Sequence, residues 1–515
     1  MISIFFKKLL LVLCLFCIYP NFAFCLTYLD GSAIACSDGN ATYSPTTRTC
    51  GLGSDRVYLS IGLFSSNIVA SQINYMRAGT YLRNSGSSAY GALLITTGGA
   101  SDAARTIVKA YPGEERQVII GTATRGATYN SNPNDATGVG SWMYYPNPAV
   151  SVYGVGNVTI DGIKTYGSVY LVGNVANITV QNCDIGGGGD GAGDSQGNTL
   201  RINGGTAPPG ISNILISNCM IHDNCRRYED ATGSLLIAYS WSGTIEKCTF
   251  YNGYGNDLEN KDGRFQSGKN TYIRNNFFKH SAVNSIDTGL RGYNQYPETA
   301  YVYIYNNIFL RKTLGYIVLG SPATAEIVYN NTFVDCAQDI ESSAVSGGPY
   351  PISNYNNIFY HSVTGKVALE IVSISYLTAS DYNIYNGSMK WQSPVDTTAA
   401  NNFSSWKTWS GKDVNSITSS PAFINSVGTA AADYKRSSYA ENFVGSSYGI
   451  HAGAYEIGSE IIGADFSAPA ASYGVKVYVS GSFQIAPLKF YNGTSWVRPP
   501  VKAYIGGVWQ TLQTP

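Results

Sequence analysis

A short phrase of alternating apolar and polar residues recurs through the middle of the chain. It reads Ile178-Thr-Val-Gln-Asn-Cys in one place and Val302-Tyr-Ile-Tyr-Asn-Asn in another. Alternation with a period of two predicts a β-strand that buries one face. Asn tolerates the left-handed backbone conformation, so the closing pair predicts a tight bend after each strand. The second residue of the pair recurs every 24 to 36 residues, at Cys183, Cys219, Cys248, Asn276, Asn307, Asn331, Asn357 and Asn383.

One strand–turn–strand unit at this period predicts a parallel β-helix, in which each coil stacks on the preceding one. The recurring Asn side chains would then hydrogen-bond from coil to coil as an internal ladder. Cys183, Cys219 and Cys248 occupy ladder positions, so we interpret them as small buried residues rather than redox centres. A β-propeller is the alternative fold, but its blades repeat at roughly 40 to 50 residues, a longer period than this chain shows.

Composition narrows the possible functions. The chain has 515 residues, which is too long for one ordinary compact core and favours either several domains or an elongated repeat. Only 13% of residues are charged and the formal net charge is zero, so no overall field attracts nucleic acid or an anionic membrane. Its 56 Gly and 40 Tyr favour short strands and tight turns over long helices.

The two ends of the chain differ from the repeat. Residues 1–25 are typical of a secretory signal, with Lys7 and Lys8 before an apolar run and a cleavage site at Ala23-Phe24-Cys25. We therefore expect a secreted or periplasmic protein; a lipoprotein acylated at Cys25 is the alternative. No later segment is long and apolar enough to span a bilayer. The predicted divisions are an N-terminal cap at 26–75, the β-helix at 76–460, a linker at 461–474 and a small module at 475–515.

Two further features belong to these flanking regions. Cys36 and Cys50 enclose a loop rich in Ser, Thr and Gly, and they would form a disulfide in an oxidising compartment; two free thiols are the alternative. The module repeats every 13 residues, with matching residues at Lys476, Lys489 and Lys502. Its aromatic residues suit either a sugar-binding surface or a self-packed β module.

The stretch from 251 to 291 carries the candidate chemistry. Asp257, Glu259, Lys261 and Asp262 crowd into six positions, next to Asn256, in a chain with few charges. A solvated cluster of charges on a loop is the alternative interpretation. A second cluster upstream contains Arg226 and Arg227, which would either bind acidic groups of a substrate or form a surface ion-pair patch. His280 is a candidate substrate-binding residue, and we expect it to cap a turn rather than act as a base.

These features resemble a known superfamily. The Asn-Asn and Asn-Cys coils, together with the closing phrases Asp381-Tyr-Asn, Ser420-Pro-Ala-Phe and Gly453-Ala-Tyr-Glu, resemble secreted β-helix proteins of the pectate-lyase-like superfamily. The resemblance covers about residues 70–458. It implies an all-β fold: a single-stranded right-handed parallel β-helix, or solenoid, with an N-terminal cap and a small C-terminal β-repeat module. The tail is similar to short aromatic repeats of phage tail proteins.

Within that superfamily, Glu259-Asn260-Lys261 resembles the Glu…Asn-Lys-Ser element of alginate lyases and chondroitinase B. The resemblance implies that Lys261 is the base and Arg291 its partner, with Asn256, Asp257 and Glu259 as ligands of a calcium ion. Two departures are visible: Asp262 stands where the Ser is expected, and the Lys-to-Arg separation is 30 residues. Arg264, in the intervening insert, is therefore a rival to Arg291 and a candidate substrate-binding residue.

The implied reaction is β-elimination in an acidic, uronate-containing polysaccharide. A cation must neutralise the uronate carboxylate so that a base can remove the neighbouring proton. A Lys acts as that base only when a nearby cation or burial lowers its pKa, and calcium would supply the cation here. The sequence thus predicts a secreted, monomeric lyase whose partner is an acidic polysaccharide, with no nucleic-acid partner.

Two other functions stay open at this point. A β-helix glycoside hydrolase needs two carboxylates about 5 to 10 Å apart, and Asp257 with Asp287 is the best pair in the sequence. A non-catalytic carbohydrate-binding adhesin or phage-tail-like protein needs only the coils and the aromatic tail.

Overall fold

Strands from successive stretches of the chain pair with their counterparts one coil later and build three long sheets. We name them sheet A, with fifteen strands, sheet B, with eleven, and sheet C, with twelve. Each full coil contributes one strand to A, then B, then C, and the coil-to-coil pairings are parallel. This confirms the predicted right-handed parallel β-helix.

The computed structural model describes residues 25–82, 91–121, 148–188, 198–203, 211–224, 234–239, 241–253, 255–261, 269–280, 287–294, 301–320, 325–343, 351–371, 373–387, 389–393, 398–400, 402–455, 460–466 and short strands between 478 and 512.

The strand bounds follow the repeat. Sheet A comprises β1 (Thr27–Leu29), β2 (Asn40–Ser44), β3 (Thr49–Cys50), β4 (Asp55–Tyr58), β5 (Ile73–Met76), β8 (Thr106–Ala110), β11 (Val158–Asp161), β14 (Ala176–Gln181), β17 (Ile211–Ser217), β20 (Trp241–Glu246), β23 (Thr271–Arg274), β26 (Tyr301–Tyr305), β29 (Ala325–Tyr329), β32 (Ile352–Tyr355) and β35 (Leu377–Asp381). Sheet B comprises β6 (Gly79–Tyr81), β9 (Val118–Gly121), β12 (Lys164–Tyr166), β15 (Asp184–Gly188), β18 (Met220–Asn224), β21 (Thr249–Tyr251), β24 (Phe277–Lys279), β27 (Ile308–Leu310), β30 (Thr332–Val334), β33 (Ile358–Tyr360) and β36 (Ile384–Asn386). Sheet C comprises β7 (Leu93–Ile95), β10 (Val150–Tyr153), β13 (Val169–Val172), β16 (Leu200–Asn203), β19 (Ser234–Tyr239), β22 (Gly255–Lys261), β25 (Asp287–Asn294), β28 (Leu314–Gly320), β31 (Gln338–Ser343), β34 (Lys366–Ile371), β37 (Met389–Ser393) and β38 (Thr398–Ala400).

The remaining elements lie at the two ends of the coil. The helices are α1 (Ile61–Ser66) and α2 (Phe403–Ser410), and short 3-10 turns span Ile374–Tyr376 and Ala431–Tyr434. A small antiparallel pair follows, formed by β39 (Ala422–Phe423) and β40 (Arg436–Ser438). The tail forms three antiparallel hairpins from β41 (Tyr478–Val479), β42 (Ser482–Phe483), β43 (Phe490–Tyr491), β44 (Trp496–Val497), β45 (Val501–Ile505) and β46 (Val508–Leu512).

The Asn pairs form the corner between sheets A and B, as predicted. The first residue of each pair has left-handed backbone, with φ of 58° at Asn275 and 52° at Asn330. The second residue is fully buried, and each side chain donates to the next: Asn307 Nδ2 lies 3.0 Å from Asn331 Oδ1. Because each amide both donates and accepts inside the core, the ladder satisfies polar groups that burial would otherwise penalise.

The three early ladder positions carry Cys instead of Asn. Cys183, Cys219 and Cys248 are buried, and each thiol lies close to a backbone carbonyl of its own corner. Burial raises the pKa of the Cys183 and Cys219 thiols well above the usual range, which keeps them protonated and unreactive. The structure confirms the packing interpretation of these residues.

Inside the coil, aromatic rings stack along sheet B. Phe278 and Phe309 lie face to face with centroids 4.7 Å apart, which is close to the spacing of adjacent strands. The same column continues in both directions, through Phe250, Phe333, Phe359 and Tyr385. This stack fixes one interior wall of the coils that carry the candidate chemistry.

The predicted cap joins the sheets directly. Strand β1 pairs in parallel with β5, so the stacking of sheet A reaches back to Thr27. Cys36 and Cys50 form the predicted disulfide, with Cα atoms 5.2 Å apart. The predicted signal segment lies outside the described residues apart from Cys25.

Two compact units divide the chain, at Met1–Asp465 and Phe466–Pro515. Across the described parts, no helix has the length and apolar character needed to cross a membrane.

Candidate active site

The candidate chemistry lies on sheet C, in strands β22 and β25. Leu258 and Leu290 are register partners in the core, so the next positions, Glu259 and Arg291, fall on the outer face. Glu259 and Arg291 are also direct register partners. We call the row through these positions the outer row; from coil to coil it contains Arg201, Ile237, Glu259, Arg291, Ile317, Glu341 and Glu370.

Glu259 is the best-anchored acid of this row. Its Oε2 accepts a 2.8 Å hydrogen bond from the Ser234 hydroxyl and lies 3.5 Å from the amide nitrogen of Asn256. Its Oε1 lies 3.7 Å from the Arg291 guanidinium. Only 2% of the Glu259 side chain is exposed, against 24% for Arg291. These contacts therefore hold the Glu259 carboxylate in place, while the Arg291 side chain is partly exposed.

Lys261 ends strand β22 beside these groups. Its backbone pairs with Tyr239 on one side and Tyr293 on the other. Its register position is two residues after Glu259, and positions two apart in a strand share a face of the sheet. The strand register therefore places the positions of Glu259, Lys261 and Arg291 in two neighbouring strands of sheet C.

Asp257 does not join this group. In strand β22, the register with the neighbouring strands includes Asn256 and Leu258 but skips the residue between them. The same position is skipped in the following strands of sheet C. The omitted positions form a buried row, which we call the inner row: Leu235, Asp257, Gly289, Gly315, Asp339 and Ala368. This irregularity puts two successive residues inside and departs from the predicted alternation, in which Asp257 and Glu259 would share a face.

The Asp257 carboxylate instead meets a lysine inside the coil. Asp257 Oδ2 lies 2.5 Å from Lys312 Nζ, and neither side chain is exposed at all. Lys312 Nζ also donates to the backbone carbonyl of Lys279 at 2.7 Å. The ammonium group thus connects β22 with the turns that follow β24 and β27, in three successive coils. A buried charge requires such a partner, which explains why the two side chains are paired.

The inner row shows how tightly this corner is packed. A side chain at Gly289 would place its Cβ 2.7 Å from the Gly315 carbonyl oxygen and 2.7 Å from the Phe309 ring. Further along the row, Asp339 pairs with His361 at 2.9 Å, and both side chains are fully buried. Glycines next to the aromatic stack and acids paired with Lys312 or His361 therefore share one row.

A second acid lies inside the same coils. Glu326 is buried and projects inward from sheet A. Its carboxylate lies close to Gly292, the neighbour of Arg291: a Cβ added to that glycine would be 3.2 Å from Glu326 Oε1. Burial raises the pKa of Glu326 to about 8, so the group is mostly protonated at neutral pH. Sequence reasoning missed it because it occupies an apolar position of an ordinary repeat.

The other predicted site residues are placed differently. Arg226, Arg227 and Arg264 lie outside the described residues. His280 directly follows β24 of sheet B and is exposed, so it does not belong to the outer row of sheet C. Of the predicted substrate-binding set, the described residues include only His280, and the structure does not place it in the outer row.

The calcium prediction can be compared with these groups. Asp257 is held by Lys312, while Glu259 is engaged by Ser234 and faces Arg291. Calcium needs six to eight oxygen ligands, several of them from carboxylates. Within the described ranges, no group of three or more His, Cys, Asp or Glu side chains is arranged to hold a metal. The described residues do not fit a calcium site, because a cation already occupies the position beside each carboxylate.

Sheet B carries an ionic network that the sequence did not single out. His222 Nε2 lies 2.7 Å from Asp184 and its Nδ1 lies 2.6 Å from Asp223, while Lys164 Nζ lies 2.7 Å from Asp184. Burial opposes the charge on His222, but the hydrogen bonds to both aspartates outweigh it and raise the pKa of the imidazole. Lys164 and Asp184 are 20 positions apart, and Asp184 and His222 are 38 positions apart, so the register of successive coils brings these three together. Asp223 is the sequence neighbour of His222.

Comparisons with known proteins add little to this geometry. No protein-family model matches the chain, and no curated protein matches it. Among solved structures, the chain is similar to pectate lyase Pel9A at 12% identity, with 84% of this chain and 96% of that chain covered and a TM-score of 0.46. A mannuronic acid specific polysaccharide family 6 lyase from human gut microbiota matches at 11% identity, over 64% and 73% of the two chains, with a TM-score of 0.33. A mutant of the PL6 family alginate lyase AlyGC matches at 11% identity, over 78% and 56%, with a TM-score of 0.30. Similarities this distant carry no argument about activity, and the fold assignment rests on the three stacked sheets.

Proposed function

We propose that the chain is a polysaccharide lyase that cleaves a uronate-containing polysaccharide by β-elimination on the outer face of sheet C. The observation that supports this proposal most is the strand register, in which Glu259 faces Arg291 and Lys261 follows two positions later. These are the residues of the Glu-Asn-Lys element and its partner arginine.

Arg291 would bind and neutralise the carboxylate of the uronate. Its guanidinium matches a carboxylate in a bidentate geometry and keeps its charge at any working pH. Neutralising that carboxylate makes the proton on the adjacent ring carbon more acidic. The partial exposure of the Arg291 side chain supports this role.

Lys261 would then remove the proton as a neutral amine. The electron pair of the broken C–H bond forms a carbon–carbon double bond, the bond to the 4-linked oxygen breaks, and that oxygen leaves and takes up a proton. The proposal requires a neutral amine at Lys261, a state that a nearby cation favours. Glu259 would act as a positioning residue: it is buried, bonded to Ser234, and holds Arg291 from below. No step in this scheme passes through a metal.

The test is a substrate screen read by ultraviolet absorbance of the conjugated, unsaturated uronate. Alginate, pectate, chondroitin and dermatan are each incubated with the protein, with added calcium and with a chelator. An unsaturated product from any of them is the expected result. The chelator samples test the calcium prediction separately.

Two outcomes would replace the proposal. New reducing ends without the ultraviolet signal would indicate a hydrolase, although Asp257, one member of the best carboxylate pair, is paired with Lys312 inside the coil. Saccharide binding without any product would indicate a non-catalytic binding protein.

A further inference from the structure

A groove lies on sheet B, well away from the outer row of sheet C. It has a volume of about 520 Å³, within the range of roughly 300 to 1,000 Å³ that small-ligand sites occupy. Its floor is formed by β21 and β24, through Thr249, Tyr251, Phe277 and Lys279. The two walls come from the segment that follows the last coil, at residues 429–435 and at Tyr455 and 460–465.

The groove is a built feature, because its walls are tied to the coils by backbone hydrogen bonds. Gly463 N donates to the Asn275 carbonyl at 2.8 Å, and Ala464 N donates to the Thr249 hydroxyl at 2.8 Å. Asp465 N donates to Asn218 Oδ1 at 2.8 Å. On the other wall, the Arg311 guanidinium donates to the Val427 carbonyl at 3.0 Å. The concave shape therefore follows from specific contacts between the returning segment and successive Asn corners.

Its aromatic side chains are held in place. The Tyr251 ring stacks on His222 with centroids 4.6 Å apart, and that imidazole is fixed by Asp184 and Asp223. Tyr455 is 3% exposed, and the Lys435 ammonium lies 5.4 Å from the centre of its ring. Tyr455 and Phe277 are buried, so Tyr251 is the aromatic ring of the lining that is partly exposed. A ring fixed in this way costs little entropy when a ligand binds, and its apolar face suits the C–H face of a pyranose ring.

The charges of the lining are balanced. Lys279 and Lys435 contribute two cations, while Glu460 and Asp465 contribute two anions. A lining of this kind offers both donors and acceptors but no net field for an anion. Hydroxyl groups, which donate and accept at once, match that lining better than a carboxylate does.

From the volume, the fixed aromatic rings and the balanced polar groups, we propose that this groove is a second, non-catalytic binding site for a saccharide. The ligand is recognised through pyranose ring faces and hydroxyl groups and does not need a carboxylate. This inference is independent of the proposed lyase activity, since neither Lys261 nor Arg291 lines the groove.

The test uses the full-length protein and neutral saccharides, which cannot undergo uronate elimination. Hexasaccharides of α-1,4-linked and β-1,4-linked glucose are titrated into the protein by calorimetry at low and at high salt. We expect binding of at least one of them, with an affinity that changes little with salt because the recognition is not a net charge attraction.

Variants locate the site. Lys279→Ala and Glu460→Gln should each weaken binding about tenfold, the loss expected when one hydrogen bond to a charged group disappears. The Lys279 backbone carbonyl, which accepts from Lys312, is unaffected by that change. Arg291→Ala, on sheet C, is the matched control and should leave the affinity for the neutral saccharide unchanged.

Three results would overturn the proposal. The first is absence of binding by both neutral hexasaccharides. The second is binding that survives Lys279→Ala and Glu460→Gln together, which would place the saccharide on another surface, such as the C-terminal hairpins. The third is binding that Arg291→Ala abolishes, which would place the neutral saccharide at the lyase site.

Discussion

The ion pair between Asp257 and Lys312 supports the most specific stability prediction. The perturbation is Lys312→Met, which keeps the length of the side chain but removes its charge. Both partners are fully buried at a separation of 2.5 Å, so the change leaves an uncompensated carboxylate inside the coil. Breaking a buried pair by removing one partner costs about 3 to 5 kcal/mol. The lost hydrogen bond to the Lys279 carbonyl adds about 1 kcal/mol.

The second variant removes the other charge. In Asp257→Asn with Lys312→Met, no charge remains to be solvated in the interior, and the amide keeps the shape of the carboxylate. A larger residue at position 257 would not fit, because Asp257 Oδ1 already lies close to Gly253: a Cβ added to that glycine would be 2.7 Å from this oxygen. We therefore expect the double variant to lose less free energy of unfolding than Lys312→Met alone.

The assay is urea denaturation followed by circular dichroism, with the urea dependence of each variant checked against that of the unmodified protein. The matched control is Arg274→Met, which breaks a 2.7 Å pair with Glu246 in which the arginine is 39% exposed. Exposed pairs of this kind contribute about 0 to 1 kcal/mol. The reasoning is refuted if Lys312→Met costs no more free energy of unfolding than this control. It is also refuted if the losses of Lys312→Met and of Asp257→Asn, each measured alone, simply add in the double variant.

Two further predictions concern the rest of the coil. Asn331→Ala should lower the free energy of unfolding by about 2 to 4 kcal/mol, because the amide donates to Asn357 and accepts from Asn307, and its loss leaves buried groups unpaired. Thermal melting measures the loss, with the exposed Asn425→Ala as the control. A smaller loss for Asn331→Ala than for Asn425→Ala would contradict the ladder. The imidazole of His222 has a raised pKa, so its contribution to stability should be complete below its unfolded pKa of about 6.5 and should disappear as pH rises through the higher folded value. Urea denaturation across neutral and alkaline pH should therefore show a loss that His222→Gln lacks, and equal pH slopes for both proteins would exclude the effect.

The sequence predicts the coil well because the fold repeats a local rule. Asn276 and Asn307 each follow an alternating strand at the same offset, so the register of one coil predicts that of the next. The polar stretch at 256–261 offers no such rule. Every residue there except Leu258 is polar, so alternation alone cannot show that Asp257 and Leu258 both point inside.

Partners from distant coils are the other limit. Lys312 lies 55 residues after Asp257 in the chain, and nothing near it indicates that its ammonium is buried. The same holds for His222, which reaches Asp184 over 38 residues. Contacts of this kind depend on the register between neighbouring coils. Insertions of different lengths separate the coils, so this register cannot be counted from the sequence.

The central claim is that the register of Glu259, Lys261 and Arg291 forms a lyase site. It is tested most directly by the initial rate at which unsaturated uronate appears, compared between the unmodified protein, Lys261→Ala and the control Lys390→Ala, an exposed lysine of β37 that lies five coils further along sheet C. The account predicts that Lys261→Ala abolishes the ultraviolet signal while its circular dichroism and melting stay unchanged, and that Lys390→Ala retains the full rate. Full activity in a folded Lys261→Ala protein would contradict it.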